Sequence, residues 1–166
     1  MFPLEIETLA RLLVAEAREQ SLRLVTAESC TGGLVAGAIC SISGASDVFE
    51  RGFVTYTNRA KSEMLKVPGD LIADHGAVSQ PVARMMAEGA LEASNGHVAV
   101  SITGVAGPGG GTPMKPVGTV HFAVARANRS VVHRHEVFDG QTREAVQLAA
   151  VRTALEMLRE AVASRG

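Results

Sequence analysis

A chain of 166 residues, 46% of them apolar, is long enough to bury one core without disulfide or metal staples. Sixteen Lys and Arg against seventeen Asp and Glu leave a formal net charge of -1, and there is one Tyr and no Trp. With no basic stripe and no aromatic platform, nucleic-acid binding is not expected, whereas a small anionic ligand remains compatible with the composition.

The N-terminus lacks the basic and apolar regions of a signal peptide, and its apolar residues Leu9, Leu12 and Leu13 predict an amphipathic helix from about Leu4 to Gln20. Leu22 to Ala27 reads as a strand, followed by a glycine turn and a helix from about Gly33 to Ile42, which the Ser43–Ser46 cluster stops. Cys30 and Cys40 lie in or beside that helix, about 15 Å apart at helical rise and too far to pair, so reduced thiols in a cytoplasmic setting are expected. A β-like stretch, Gly52 to Thr57, leads into a helix from Asn58 to Leu65, which Pro68-Gly69 breaks; Ser79-Gln80-Pro81 opens another, to about Ser94. Strands are predicted over His97–Thr103, Gly118–Arg126 and Val131–Phe138, the last two joined by the turn Ala127–Ser130. A closing helix places Val146, Ala149, Leu155, Leu158 and Val162 on its buried side. No linker or repeat divides residues 1–166, and no apolar run is long enough to span a bilayer. The order α-β-α-β-α-α-β-β-β-α predicts one α/β domain, a three-layer α/β/α sandwich with a mixed β-sheet, because the final hairpin must be antiparallel.

The chemistry concentrates in three stretches. In Ala27-Glu28-Ser29-Cys30-Thr31-Gly32-Gly33 a strand gives way to a helix, so the first free N–H groups of that helix are expected to point outward, ready for an oxyanion or phosphate. Helix capping by Ser and Thr is the competing reading. Ser29 is a nucleophile candidate that needs a base, and none of the five histidines lies in the local motifs. Lys61 is the alternative base: it falls in the first turn of its helix, where the dipole disfavours an ammonium, although a solvated surface lysine is the commoner fate. Ser29 and Lys61 are 32 positions apart, so their pairing is a question of space. Cys30 is a rival nucleophile, since a thiol at a helix N-terminus can ionise easily. The glycine loop Gly104-Val105-Ala106-Gly107-Pro108-Gly109-Gly110-Gly111 permits close approach to a ligand, but leads into a strand and matches neither a dinucleotide fingerprint nor a P-loop. Arg143, at the start of the last helix, suits an anion or a surface salt bridge equally. His133 and His135 alternate along one strand without a ligand cluster around them, so no metal site is expected.

Six ordered stretches resemble one family: the segment 27–33, Phe49-Glu50-Arg51-Gly52-Phe53-Val54-Thr55-Tyr56, Asn58 with Lys61, His75-Gly76-Ala77-Val78-Ser79, Gly104-Val105-Ala106-Gly107-Pro108 and Lys115-Pro116-Val117-Gly118-Thr119-Val120 are similar to the CinA C-terminal domain family, from about Leu9 to Leu158. The resemblance implies deamidation of nicotinamide mononucleotide to nicotinate mononucleotide and ammonia, by a Ser/Lys mechanism with no metal or cofactor. Carried over position by position, it makes Ser29 the nucleophile, Lys61 the base and Tyr56 a residue that orients the pair. It also places Thr31, Gly32, Gly33, Ser46, Asn58, Thr103, Gly104 and Arg143 around the substrate, with Ser46 and Arg143 toward the ribose phosphate. Larger members carry a pyrophosphatase-like domain ahead of this region, and its activity is not expected here. A non-catalytic nucleotide-binding module is the alternative reading, the expected partner is a small pyridine nucleotide, and a symmetric homodimer is the prior for assembly.

Overall fold

The computed structural model describes residues 1–164. The chain folds as α1 (Leu4–Glu19), β1 (Leu24–Glu28), α2 (Leu34–Cys40), β2 (Phe49–Val54), α3 (Asn58–Leu65), α4 (Gly69–His75), α5 (Gln80–Glu92), β3 (Val98–Gly104), β4 (Thr119–Arg126), β5 (Val132–Val137) and α6 (Arg143–Ala163), with a 3-10 turn at Ala45–Asp47. The five strands form one sheet in the order β2-β1-β3-β4-β5. β1 pairs in parallel with β2 and β3, while β3, β4 and β5 run antiparallel, giving the expected mixed sheet.

Alternation along the strands sorts the core into two layers. Leu24, Val98, Val100, Ile102 and Phe122 face α1, α2 and α6, whereas Val25, Ala27 and Ala99 meet Leu65, Ile72, Val82 and Met86 from α3, α4 and α5. Every residue of β1 is buried, as befits a central strand covered on both faces. The β1–β2 connection crosses by α2 on one face, and the β2–β3 connection returns through α3, α4 and α5 on the other. β1 is therefore the point at which the chain's crossovers diverge, and the crevice beyond its C-terminal end is where such sheets receive ligands.

Four features depart from the sequence reading. Pro68-Gly69 does end the run of α3, but Pro68, with φ -61°, also starts α4, a helix with one buried residue, Ile72, and too short to show a period. β2 begins at Phe49 and ends at Val54, three residues ahead of the expected stretch. Its first half, Phe49-Glu50-Arg51, sits on an edge and carries no apolar run, and Thr55 to Thr57 serve instead to enter α3. β1 extends to Glu28, a wholly buried carboxylate at the end of an apolar strand. In α6 the buried side includes Val146, Leu155, Leu158 and Val162 as expected, while Ala150 rather than Ala149 is fully covered.

Candidate active site

The C-terminal ends of β1, β2 and β3 meet at a cleft of about 270 Å³. Ser29 follows β1 directly, and its N–H donates to the Ile102 carbonyl of β3 at 2.9 Å, continuing the ladder one residue past the strand. The chain then turns through Gly32 and Gly33, at φ +56° and +100°, a left-handed pair that only glycine adopts freely. Thr57 caps α3, its hydroxyl accepting from the Ala60 N–H at 3.0 Å, and this fixes the helix so that Lys61 points back beneath the sheet end.

Lys61 Nζ lies 2.9 Å from Ser29 Oγ and donates to the Thr55 carbonyl at 2.9 Å. The side chain is only 1% exposed, and among the described residues no carboxylate forms an ion pair with it. Burial therefore pulls its pKa below that of an ordinary lysine. The lowering favours the neutral amine, the form able to take a proton from the serine hydroxyl, while Nζ is held on the Thr55 oxygen. The surface-lysine alternative is thereby removed.

Cys30 is buried beside this pair, and desolvation pushes its thiol up to about 12. The helix-terminus argument for an easily ionised thiol fails because the N-terminal N–H groups of α2 are already taken. Glu28 receives them: its carboxylate accepts from the Val35 N–H at 2.9 Å, the Ala36 N–H at 3.0 Å and the Thr31 hydroxyl at 2.7 Å. The expectation that this helix end receives a substrate anion is corrected on the same ground. The N–H groups of Gly32 and Leu34 are bonded within the turn, to Ser29 and Thr31 carbonyls, and those of Cys30, Thr31 and Gly33 have no protein partner among the described residues.

Of the positions singled out in the sequence, Ser29, Tyr56, Asn58, Lys61, Thr103, Gly104 and Arg143 line the cleft. Thr103 donates to the Ala77 carbonyl at 2.9 Å, which leaves its oxygen free to accept. Tyr56 is 57% exposed and does not hydrogen-bond the Ser29–Lys61 pair. Its hydroxyl accepts from Arg143 at 2.8 Å, and the same guanidinium donates to the Gly107 carbonyl at 2.6 Å, tying α6, the glycine loop and the entry to α3 together. Arg143 pairs with no carboxylate among the described residues, contrary to the salt-bridge alternative. Four positions are not brought to the cleft wall. Thr31 is turned inward onto Glu28, Gly32 and Gly33 shape the turn behind Ser29, and Ser46 lies on the 3-10 turn in a separate depression beside Cys40 and Phe49.

The sequence reading missed Glu28, the Thr55 carbonyl and Gln147, whose amide donates to the Cys30 carbonyl at 3.1 Å. An acidic residue closing an apolar strand just ahead of a helix was a readable signal for Glu28. A backbone oxygen and a glutamine from α6, 117 positions away, gave none.

The match to known proteins is extensive. The model of the CinA C-terminal domain covers residues 6–162. The chain is 48% identical over 154 residues to the nicotinamide-nucleotide amidohydrolase PncC of Escherichia coli K12, covering 93% of each. It is 57% identical over 118 residues to a CinA-like protein of Akkermansia muciniphila, a match that takes in 71% of this chain and 28% of that one. It thus spans about a third or less of the length of several longer relatives. The crystal structure of the competence/damage inducible protein CihA from Agrobacterium tumefaciens superposes with a TM-score of 0.96 at 49% identity, over 99% of both chains.

Proposed function

Because the chain belongs to the CinA C-terminal domain family, we propose that it is an amidohydrolase that converts nicotinamide mononucleotide and water to nicotinate mononucleotide and ammonia, with Ser29 and Lys61 as its catalytic pair. The observation that carries this reading is the 2.9 Å contact between a buried amine and a serine hydroxyl at the floor of the cleft. The name borne by the similar E. coli protein supports the substrate.

Each step has a group to perform it. The Ser29 hydroxyl gives its proton to the neutral Lys61 amine as Oγ attacks the carboxamide carbon. Charge develops on the amide oxygen, for which the N–H of Cys30, on the cleft wall next to Ser29 and without a backbone partner among the described residues, is the donor of the nucleophile turn. Lys61 returns the proton to the amide nitrogen, the C–N bond breaks and ammonia leaves. A water, deprotonated by the same amine, then attacks the ester carbon, and the resulting ammonium gives its proton to Ser29 Oγ as the C–O bond breaks, releasing the acid and restoring the hydroxyl and the neutral amine. Arg143, with its charge uncompensated by a carboxylate among the described residues and its side chain pinned by Gly107 and Tyr56, is the receiver for the phosphate. Tyr56 acts through Arg143 in this arrangement.

Ammonia release from nicotinamide mononucleotide tests the assignment. Ser29→Ala and Lys61→Ala are each expected to reduce turnover by about a thousandfold or more. Wild-type turnover in either variant overturns the roles, and calorimetric binding of the nucleotide without ammonia release establishes the non-catalytic alternative instead.

A further inference from the structure

The mechanism above makes no use of the one acidic side chain sealed into the core next to the nucleophile. Glu28 is 0% exposed, yet it forms no ion pair with a basic side chain among the described residues. Burying a carboxylate is costly unless its lone pairs are filled, and here they are filled wholly by the segment that follows Ser29. Oε1 accepts from both the Thr31 hydroxyl and the Val35 N–H, and Oε2 accepts from the Ala36 N–H. The backbone of the same residue is also engaged, its carbonyl accepting from the Thr55 N–H at 2.8 Å. Thr55 is the residue whose own carbonyl holds Lys61.

We propose that Glu28 is a positioning residue for the nucleophile: through its side chain it clamps the turn 29–33 onto the start of α2, and through its backbone it fixes Thr55, so that Ser29 Oγ and Lys61 Nζ are held in register. Resting on the reading of Ser29 as nucleophile, this assigns two consequences to one side chain. The carboxylate absorbs the N–H groups that open α2, so that helix end is closed to substrate. The N–H groups left over are those of the turn itself, adjacent to Ser29. Glu28 touches no reacting atom; its effect is on geometry, where displacement of about 1 Å costs on the order of 100-fold in rate.

The test uses a fluorophosphonate, which reacts with an activated serine by forming an Oγ–P bond and expelling fluoride, the serine proton passing to the Lys61 amine. Its reaction needs no carboxamide substrate. Labelling at Ser29, located by peptide mass spectrometry, is followed in the wild type and in Glu28→Gln, Thr31→Val and Thr31→Ser, with rates normalised to the folded fraction. The expected result is a maximal labelling rate about 10- to 100-fold lower in Glu28→Gln and Thr31→Val, reagent half-saturation unchanged, and recovery in Thr31→Ser, which restores the hydroxyl. Wild-type rates in Glu28→Gln overturn the proposal, as does a loss that vanishes once the folded fraction is taken into account. Should Glu28→Gln fail to fold, Thr31→Val, which removes one hydroxyl at nearly constant volume, decides between the same two outcomes. A wild type that labels at Ser29 but releases no ammonia from nicotinamide mononucleotide defeats the substrate reading alone; one that does not label at Ser29 defeats both.

Discussion

Two neighbouring side chains, Ser29 and Cys30, compete for the role of nucleophile on sequence, and their surroundings separate them. The serine meets an amine at 2.9 Å, while the thiol is buried and raised to about 12. Alkylation with iodoacetamide near pH 8 is therefore expected to modify the exposed Cys40 first and leave Cys30 and the ammonia-releasing activity intact, as read by peptide mass spectrometry; rapid loss of activity with modification at Cys30 contradicts this. Lys61 makes a prediction in the acid direction. Its amine must be neutral to accept the serine proton, so kcat/KM is expected to rise with pH through a pKa lying below the 10.5 of a free lysine. A profile with no such ionisation argues against Lys61 as base. The chemistry of these residues was legible as residue types in motifs; their burial and contacts were not, because neither Nζ nor Oγ carries any mark in the sequence of what stands 32 positions away.

At the level of elements, α5 shows how the site's supporting layer is packed. Gly89 lies in the last turn of this helix, and glycine within a helix costs about 1 kcal/mol relative to alanine. A Cβ there would sit 2.0 Å from the Leu65 carbonyl oxygen, so the glycine lets α5 cross the end of α3 at backbone distance. Gly89→Ala is thus expected to destabilise the protein by a net of roughly 1–2 kcal/mol in denaturant melts, the overpacking cost exceeding the propensity gain. Greater stability in that variant sinks the argument. The β4–β5 hairpin carries a different load. His121 stacks on its cross-strand partner His135 at 4.3 Å and hydrogen-bonds His133 at 2.9 Å. Burial, with the charges of His135, His133 and Lys115 behind it, lowers His121 to about 4. Since the unfolded chain takes up this proton first, stability is expected to decline as pH falls from about 6.5 to 4, and less steeply in His121→Leu. Equal slopes in both proteins rule His121 out as the cause. The strands of this hairpin were readable from their β-branched runs and turn; the bounds of edge strand β2 and the short helix α4 were not, because neither carries enough buried residues to impose a period.

For the molecule as a whole, a buried amine is a debt against folding that pH can relieve. The folded state releases the Lys61 proton at a lower pH than the unfolded state does, so stability is expected to climb as pH rises from the lowered value toward 10.5. In Lys61→Met this component of the slope should disappear, and its persistence would show that another group is responsible. That debt can be carried only because the sheet closes over the lysine, at the crevice where the connections of β1 part to opposite faces. Periodicity and turn chemistry were enough to specify an α/β/α sandwich, its antiparallel hairpin and the three stretches that supply the cleft, since these depend on local spacing. Strand order, the encounter of Ser29 with Lys61, the withdrawal of Thr31 onto Glu28 and the separation of Ser46 from the cleft were decided by tertiary packing. The reason is physical: hydrogen-bond partners and solvent exclusion are properties of neighbours in space, and the parallel pairing that brings these neighbours together spans connections far longer than any local pattern.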